Sequence, residues 1–229
     1  MSTYIISVGG SILSPSDDIL FDFNKAKELK DLLNKYINNG DKFVLVVGGG
    51  KICRRYQSLM REQNMPDLEL DNIGVAVINT NAVMLRAVMG EQSSNKVLRY
   101  EDFEDDSDLE MDKPILVAAA SNPGHSSDWN AVKLAIRVSS TSVINLSNTM
   151  GVYDSDPKKN PNAKFLPNIT WDKYFEIVGN PTDFPPGSHF PFDIMAARMA
   201  NDNGISCYMI DGREPNSLDS LLSKNICDG

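Results

Sequence analysis

Val44-Leu45-Val46-Val47-Gly48-Gly49-Gly50, running on into Lys51-Ile52-Cys53-Arg54-Arg55-Tyr56, decides the fold. An apolar run that stops at three glycines and resumes as a basic stretch reads as a buried strand turning sharply into a helix. Glycines let backbone N–H groups approach a ligand, and a helix N-terminus adds partial positive charge. Lys51, Arg54 and Arg55 add full charges within about two turns. Two readings fit: a cradle for an anion, a phosphate above all, or a tight βα turn followed by a solvated basic helix face.

The pattern repeats on both sides. Tyr4–Val8 reads as a strand closed by Gly9-Gly10-Ser11, and Lys42–Val47 is the strand before the triple glycine. Lys96–Tyr100, Pro114–Ala119, Thr141–Leu146 and Ile205–Ile210 read as further strands. Apolar residues at helical spacing predict helices over Asp22–Asn38, Lys51–Gln63, Asp71–Met89, Asp128–Val138 and Trp171–Val178, the last with Thr170 as its cap. Another helix runs from Pro191 to Asn203, and Leu218–Leu222 belongs to a terminal one. The acidic stretch Glu101–Asp112 reads as a solvated connection. Strands alternating with helices predict an α/β fold with a mainly parallel sheet covered on both faces. Ligands of such sheets bind beyond the carboxyl ends of the strands, where the Gly, Ser and Asn clusters fall.

Composition narrows the class. The chain has 229 residues, 41% apolar and 23% charged, the size of one large α/β domain or two small ones. A net charge of −9 argues against a general nucleic-acid or membrane-surface binder. Cys53, Cys207 and Cys227 form no CxxC pair, so neither a disulfide framework nor a zinc site is indicated; that pattern fits a reducing, cytoplasmic setting. No secretory signal and no apolar run long enough to span a bilayer is read.

Further clusters carry candidate chemistry. Two adjacent glycine turns can cradle two phosphates or one phosphoryl group in transit. Neither GxxxxGK[ST] nor GxGxxG is present, which argues against P-loop and dinucleotide folds. Ser121-Asn122-Pro123-Gly124-His125-Ser126-Ser127-Asp128 joins a turn, hydroxyls and a carboxylate at a helix start. It reads either as a phosphate or base reader or as a cap made by Ser127 or Asp128. Ser147–Pro157 reads either as a nucleotide-facing loop, with Tyr153 against a base and Asp156 on a ribose or amine, or as a turn-rich hairpin. Asp193 stands in the first turn of its helix, where a carboxylate ordinarily serves the helix dipole. His125 and His189 read as loop residues.

In this order the blocks Ile6–Ser11, Val47–Gly50 with Arg54, Leu70–Gly74, Asn122–Asp128, Gly151–Pro157 and Pro191–Asp193 resemble the amino acid kinase superfamily. Within it they look most like the archaeal-type uridylate kinases, from about Tyr4 to Leu222. The resemblance implies one amino acid kinase domain over residues 1–229, a three-layer αβα sandwich around a mostly parallel eight-stranded sheet. It implies an acceptor-binding part over residues 1–120 and an ATP-binding part over 121–229. It implies transfer of the γ-phosphoryl of ATP to UMP with Mg²⁺, in pyrimidine nucleotide synthesis, by a homohexamer built from dimers. By match, Gly49, Gly50 and Arg54 would hold the UMP phosphate, and Asp71 the ribose. Asn81 would lie near that pocket. Asn122, Ser126 and Ser127 would contact uracil or the acceptor phosphate. Gly9, Gly10 and Ser11 would face the transferring group, with Gly9, Asn148, Tyr153 and Asp156 on the ATP side. Asp128 and Asp193 would hold the catalytic electrostatics. No side-chain metal ligands are assigned. Ser7 stands where many members have lysine, and Met150 where many have aspartate. Lys51 and Lys133 are candidates to supply the missing charge, and Asp22–Asn38 is a candidate dimer face or a cover for the sheet. Other acceptors of the superfamily (carboxylate, carbamate, isopentenyl phosphate) and a non-catalytic nucleotide- or anion-binding role are the alternatives.

Overall fold

The computed structural model describes residues 2–104, 107, 109–120, 122–157, 160–179, 190–214 and 216–224. Ser121, His189 and Cys227 lie outside the described residues.

Six strands form the central sheet: β1 (Thr3–Val8), β2 (Lys42–Val47), β3 (Ser93–Leu98), β4 (Ile115–Ala118), β5 (Ser142–Ser147) and β8 (Ser206–Asp211), in spatial order β3-β4-β2-β1-β5-β8. Every pairing within it is parallel. Among the described residues the sheet therefore has six strands where eight were expected. The remaining pair, β6 (Val152–Tyr153) and β7 (Phe165–Leu166), forms a separate antiparallel ribbon.

The period of two along each strand builds two cores. Tyr4, Ile6, Val8, Phe43, Leu45, Val47, Ile115, Val117, Ile144 and Leu146 face one side. There they meet α2 (Phe23–Ile37), α4 (Asp67–Met89) and α9 (Ser217–Leu222). Ile5, Val44, Val46, Leu116, Ala118 and Val143 face the other, against α6 (Ser127–Arg137), α7 (Trp171–Val178) and α8 (Ile194–Asp202). The result is the expected αβα layering. Asp22 caps α2 through the Lys25 amide, and Ala26, Leu29 and Leu33 are its buried stripe. That stripe covers the sheet, so α2 does not offer it as a dimer face.

Several boundaries differ from the sequence reading, each for a local reason. A one-turn helix, α1 (Gly10–Leu13), follows β1 directly, and α3 (Gly50–Glu62) begins on the last glycine. Part of the acidic connection folds as α5 (Tyr100–Glu104), where the Arg99 amide donates to Asp102 Oδ2. Pro191 precedes α8, because Asp193 is the cap and its Oδ1 accepts the Ala196 amide. Neither Ser127 nor Asp128 caps α6; Ser126 does, accepting from the Trp129 amide. The segment Asp67–Gln92, centred on α4, is by length and composition apolar enough to cross a bilayer, contrary to the sequence reading. It nevertheless buries Leu70, Ala82, Leu85 and Met89 together with the polar Asn81, as a core helix does.

Candidate functional site

Four loops leave the carboxyl ends of β1, β2, β4 and β5. The chain runs from β1 to β2 on one side and reaches β5 on the other, so β1 lies at the point where the sheet order reverses, the place at which ligands of such sheets bind. The two glycine turns meet there. A Cβ on Gly10 would lie 1.9 Å from Gly50 N, and one on Gly48 would lie 2.5 Å from Gly10 N. No side chain fits between these turns. Gly50 has φ +72°, and a Cβ there would strike Gly10 O and Ser14 Cβ. Gly9 donates to Leu146 O at 2.8 Å, tying the first turn to the end of β5 as well. Gly9, Gly10 and Ser11 thus share one place with Gly49 and Gly50.

The α3 N-terminus is not wholly open. Ser14, fully buried, accepts the Lys51 amide on its carbonyl (2.9 Å) and the Ile52 amide on its Oγ (3.3 Å). The Lys51 and Ile52 amides of α3 are thereby satisfied within the protein, and those of Gly49 and Gly50 are not taken by Ser14. Arg54 is exposed on the same helix. Arg55 faces Asp17 at 3.9 Å, both exposed, a pair of little energetic weight.

α4 supports the opposite wall. Asn81, buried, donates its Nδ2 to Gly48 O (3.1 Å) and Gly49 O (3.2 Å). One helix segment earlier, Asp71 accepts a hydrogen bond from the Gly124 amide, which brings the Asn122–Asp128 loop to it. Burial pushes the Asp71 carboxyl above the usual range, Asp67 adds to this, and the Gly124 amide opposes it. In the same loop, the His125 ring stacks on Trp129 at 3.7 Å between centroids. Burial lowers the His125 pKa, while Asp193 and Glu104 pull it back.

Asp128 sits at the centre of the second wall. Its Oδ1 accepts from Ser7 Oγ (3.1 Å) and Asn145 Nδ2 (3.0 Å), and its Oδ2 from the Asp193 amide (3.2 Å). Burial raises its pKa to about 6; the Asp193 amide and the Ser7 hydroxyl work against that rise, and the Asp193 charge works with it. One carboxylate therefore ties β1, β5 and the start of α8 to α6. These three donors to it are uncharged, and one of them is Ser7, the residue in the expected lysine's place. Of the other sequence-assigned residues, Asn148 is exposed just beyond β5. Tyr153 lies on the ribbon, edge-on to Phe165 at 5.6 Å, and Asp156 holds a turn there by accepting the Asn160 amide. Tyr153 and Asp156 belong to the ribbon segment.

Sequence reasoning gave no such part to Asn145, Ser14 or Ser147. Ser147 Oγ is buried without a hydrogen-bond partner at the end of β5, close to where a Gly9 Cβ would stand. One signal was available: Ser7 in Ile6-Ser7-Val8 and Asn145 in Ile144-Asn145-Leu146 are polar residues interrupting buried strands, and a buried polar group needs a partner.

Two glycine turns thus meet at the carboxyl edge of a parallel sheet. The chain belongs to the amino acid kinase family, whose family model matches residues 2–211. It is 34% identical over 218 residues to a uridylate kinase of Thermococcus kodakarensis, covering 95% of this chain and 94% of that one. It is 32% identical over 222 residues to a uridylate kinase of Methanothermobacter thermautotrophicus, covering 97% and 96%. Among solved structures, the uridylate kinase of Archaeoglobus fulgidus superposes with a TM-score of 0.75 at 26% identity, over 100% of this chain and 96% of that one.

Proposed function

We propose that this protein is a UMP kinase, moving the γ-phosphoryl group of ATP to UMP to give UDP and ADP for pyrimidine nucleotide synthesis. The observation that carries the reading is the abutment of the Gly9–Ser11 and Gly48–Gly50 turns, in a chain similar over nearly its whole length to uridylate kinases. Donor and acceptor phosphates held on the two turns would be side by side, as in-line transfer requires.

The acceptor phosphate lies on the Gly49 and Gly50 amides with Arg54 over it, and Asp71 takes the ribose. Asn122, Ser126 and Ser127 read the uracil or the phosphate. Ser126 Oγ accepts the Trp129 amide and keeps its hydroxyl proton free to donate to the ligand. Gly9, Gly10 and Ser11 face the transferring group, and Asn148, Tyr153 and Asp156 flank ATP. The UMP phosphate is itself an anionic nucleophile, so no general base is needed. Asp128 acts by fixing Ser7, Asn145 and the start of α8, with Asp193 beside it. Among the described residues no three His, Cys, Asp or Glu side chains converge as a metal cage. Mg²⁺ would arrive on the phosphates of ATP. When bound, Mg²⁺ supplies neutralisation of phosphate charge.

In this reading residues 1–120 bind the acceptor and 121–229 bind ATP. The assembly is a homohexamer built from dimers, and the exposed apolar Tyr56 and Leu59 of α3, Met65, and Leu68 of α4 are candidates for a contact between copies. A cytoplasmic setting fits the free thiols of Cys53 and Cys207.

The test is ADP release from ATP and Mg²⁺ with UMP, CMP, AMP, carbamate, N-acetylglutamate and isopentenyl phosphate as separate acceptors. Release with UMP, absent with the last three, is the expected result. Nucleotide binding without release for any acceptor would replace the kinase with a sensor. Arg54→Ala should raise the KM for UMP by about ten-fold or more, as loss of a charged phosphate contact does. An unchanged KM would take the phosphate away from Arg54.

A further inference from the structure

We propose that Asn81 is a positioning residue for the acceptor phosphate, acting through the backbone of the triple-glycine turn and touching no ligand itself. The proposal rests on the reading of that turn as a phosphate cradle.

Asn81 stands mid-way along α4 among apolar residues and is 3% exposed. A buried amide without partners is costly, so its bonds are structurally decisive. Its Nδ2 donates to two consecutive carbonyls, Gly48 O and Gly49 O. In a planar trans peptide the carbonyl of one residue points opposite to the N–H of the next. Drawing the Gly48 and Gly49 carbonyls toward α4 therefore turns the Gly49 and Gly50 N–H groups away from α4. These are the two amides that Ser14 leaves free, since it takes those of Lys51 and Ile52. Without a side chain, each glycine has wide conformational freedom, so the peptide planes of Gly48-Gly49-Gly50 can flip unless held. Asn81 is the side chain that holds them. The same helix carries Asp71, bonded to the Gly124 amide, so α4 sets the acceptor turn and the Asn122–Asp128 loop in one frame.

The experiment compares UMP with uridine by calorimetric titration in the wild type, Asn81→Ala and Asn81→Asp, with thermal unfolding as the check on folding. The wild type should bind UMP far more tightly than uridine. Asn81→Ala should lose about ten-fold of that preference while its uridine affinity holds; in turnover the KM for UMP should rise and the KM for ATP stay. Asn81→Asp keeps the shape. It should lose the preference at neutral pH and regain it, relative to the wild type, as the pH falls and its protonated carboxyl can donate again; this variant carries the test if Asn81→Ala does not fold. A folded variant with the wild-type UMP-to-uridine ratio, or Asn81→Asp with no recovery at low pH, would overturn the proposal. A wild type that binds UMP no better than uridine would remove the phosphate cradle itself, and Asn81's role with it.

Discussion

A missing side chain is the most constrained feature at the residue scale. Gly10 cannot become alanine without displacing the second glycine turn, because the new Cβ would sit almost on Gly50 N. Gly10→Ala should therefore abolish turnover with UMP and ATP while the distant core, built from residues such as Leu33 and Phe43, keeps its cooperative melt; wild-type turnover would mean that the turns need not touch. Asp128 makes a different prediction. Its folded pKa of about 6 lies above the ordinary aspartate value, so the folded state holds this proton more tightly than the unfolded chain. Its contribution to stability is full below about pH 4 and is lost as pH rises through about 6. Asp128→Asn removes that titration. The melting temperature of the variant should gain on the wild type between pH 4 and pH 7, and a gap constant with pH would refute a raised pKa for this carboxyl.

Elements were more legible in the sequence than their joints. Apolar runs ending in glycine placed β1 and β2, and helical spacing placed α2, α4 and α7, because burial imposes those periods directly. What escaped the reading depends on residues far apart in the chain. Ser7 and Asp128 are 121 positions apart, and Asn81 and Gly48 are 33 apart. No local pattern announces such a pairing, so the strut made by α4 and the hub at Asp128 could be seen only in the fold. The start of α6 was misjudged for a related reason: Ser126, Ser127 and Asp128 are all good caps, and the choice fell to Ser126 because Asp128 is drawn inward by Ser7 and Asn145. Ser126→Ala should cost about 1 kcal/mol, read from chemical denaturation, as N-cap losses do. No loss would mean that another group caps α6.

Across the whole molecule, exposed apolar residues collect on α3, the following turn and the start of α4, while net charge favours dispersal. If that face joins copies, Leu59→Glu combined with Leu68→Glu should reduce the sedimenting species to smaller assemblies without unfolding the protomer; an unaltered distribution would place the contact elsewhere. The expected eight strands and observed six belong to this scale too: the eight came from the resemblance, whereas the residues themselves read as six strands, and β6–β7 forms a ribbon of its own. The order of that sheet has a consequence for synthesis. Of the strands in the sheet β1 is made first, yet its second neighbour β5 pairs Ile5 with Val143, far later in the chain. One edge of the earliest strand thus stays open while most of the protein is being made, and parallel pairings so distant close slowly. Nascent or prematurely terminated chains ending before β5 would expose the strand that later bears the first glycine turn, and they are the species that chaperones and proteases should meet most often.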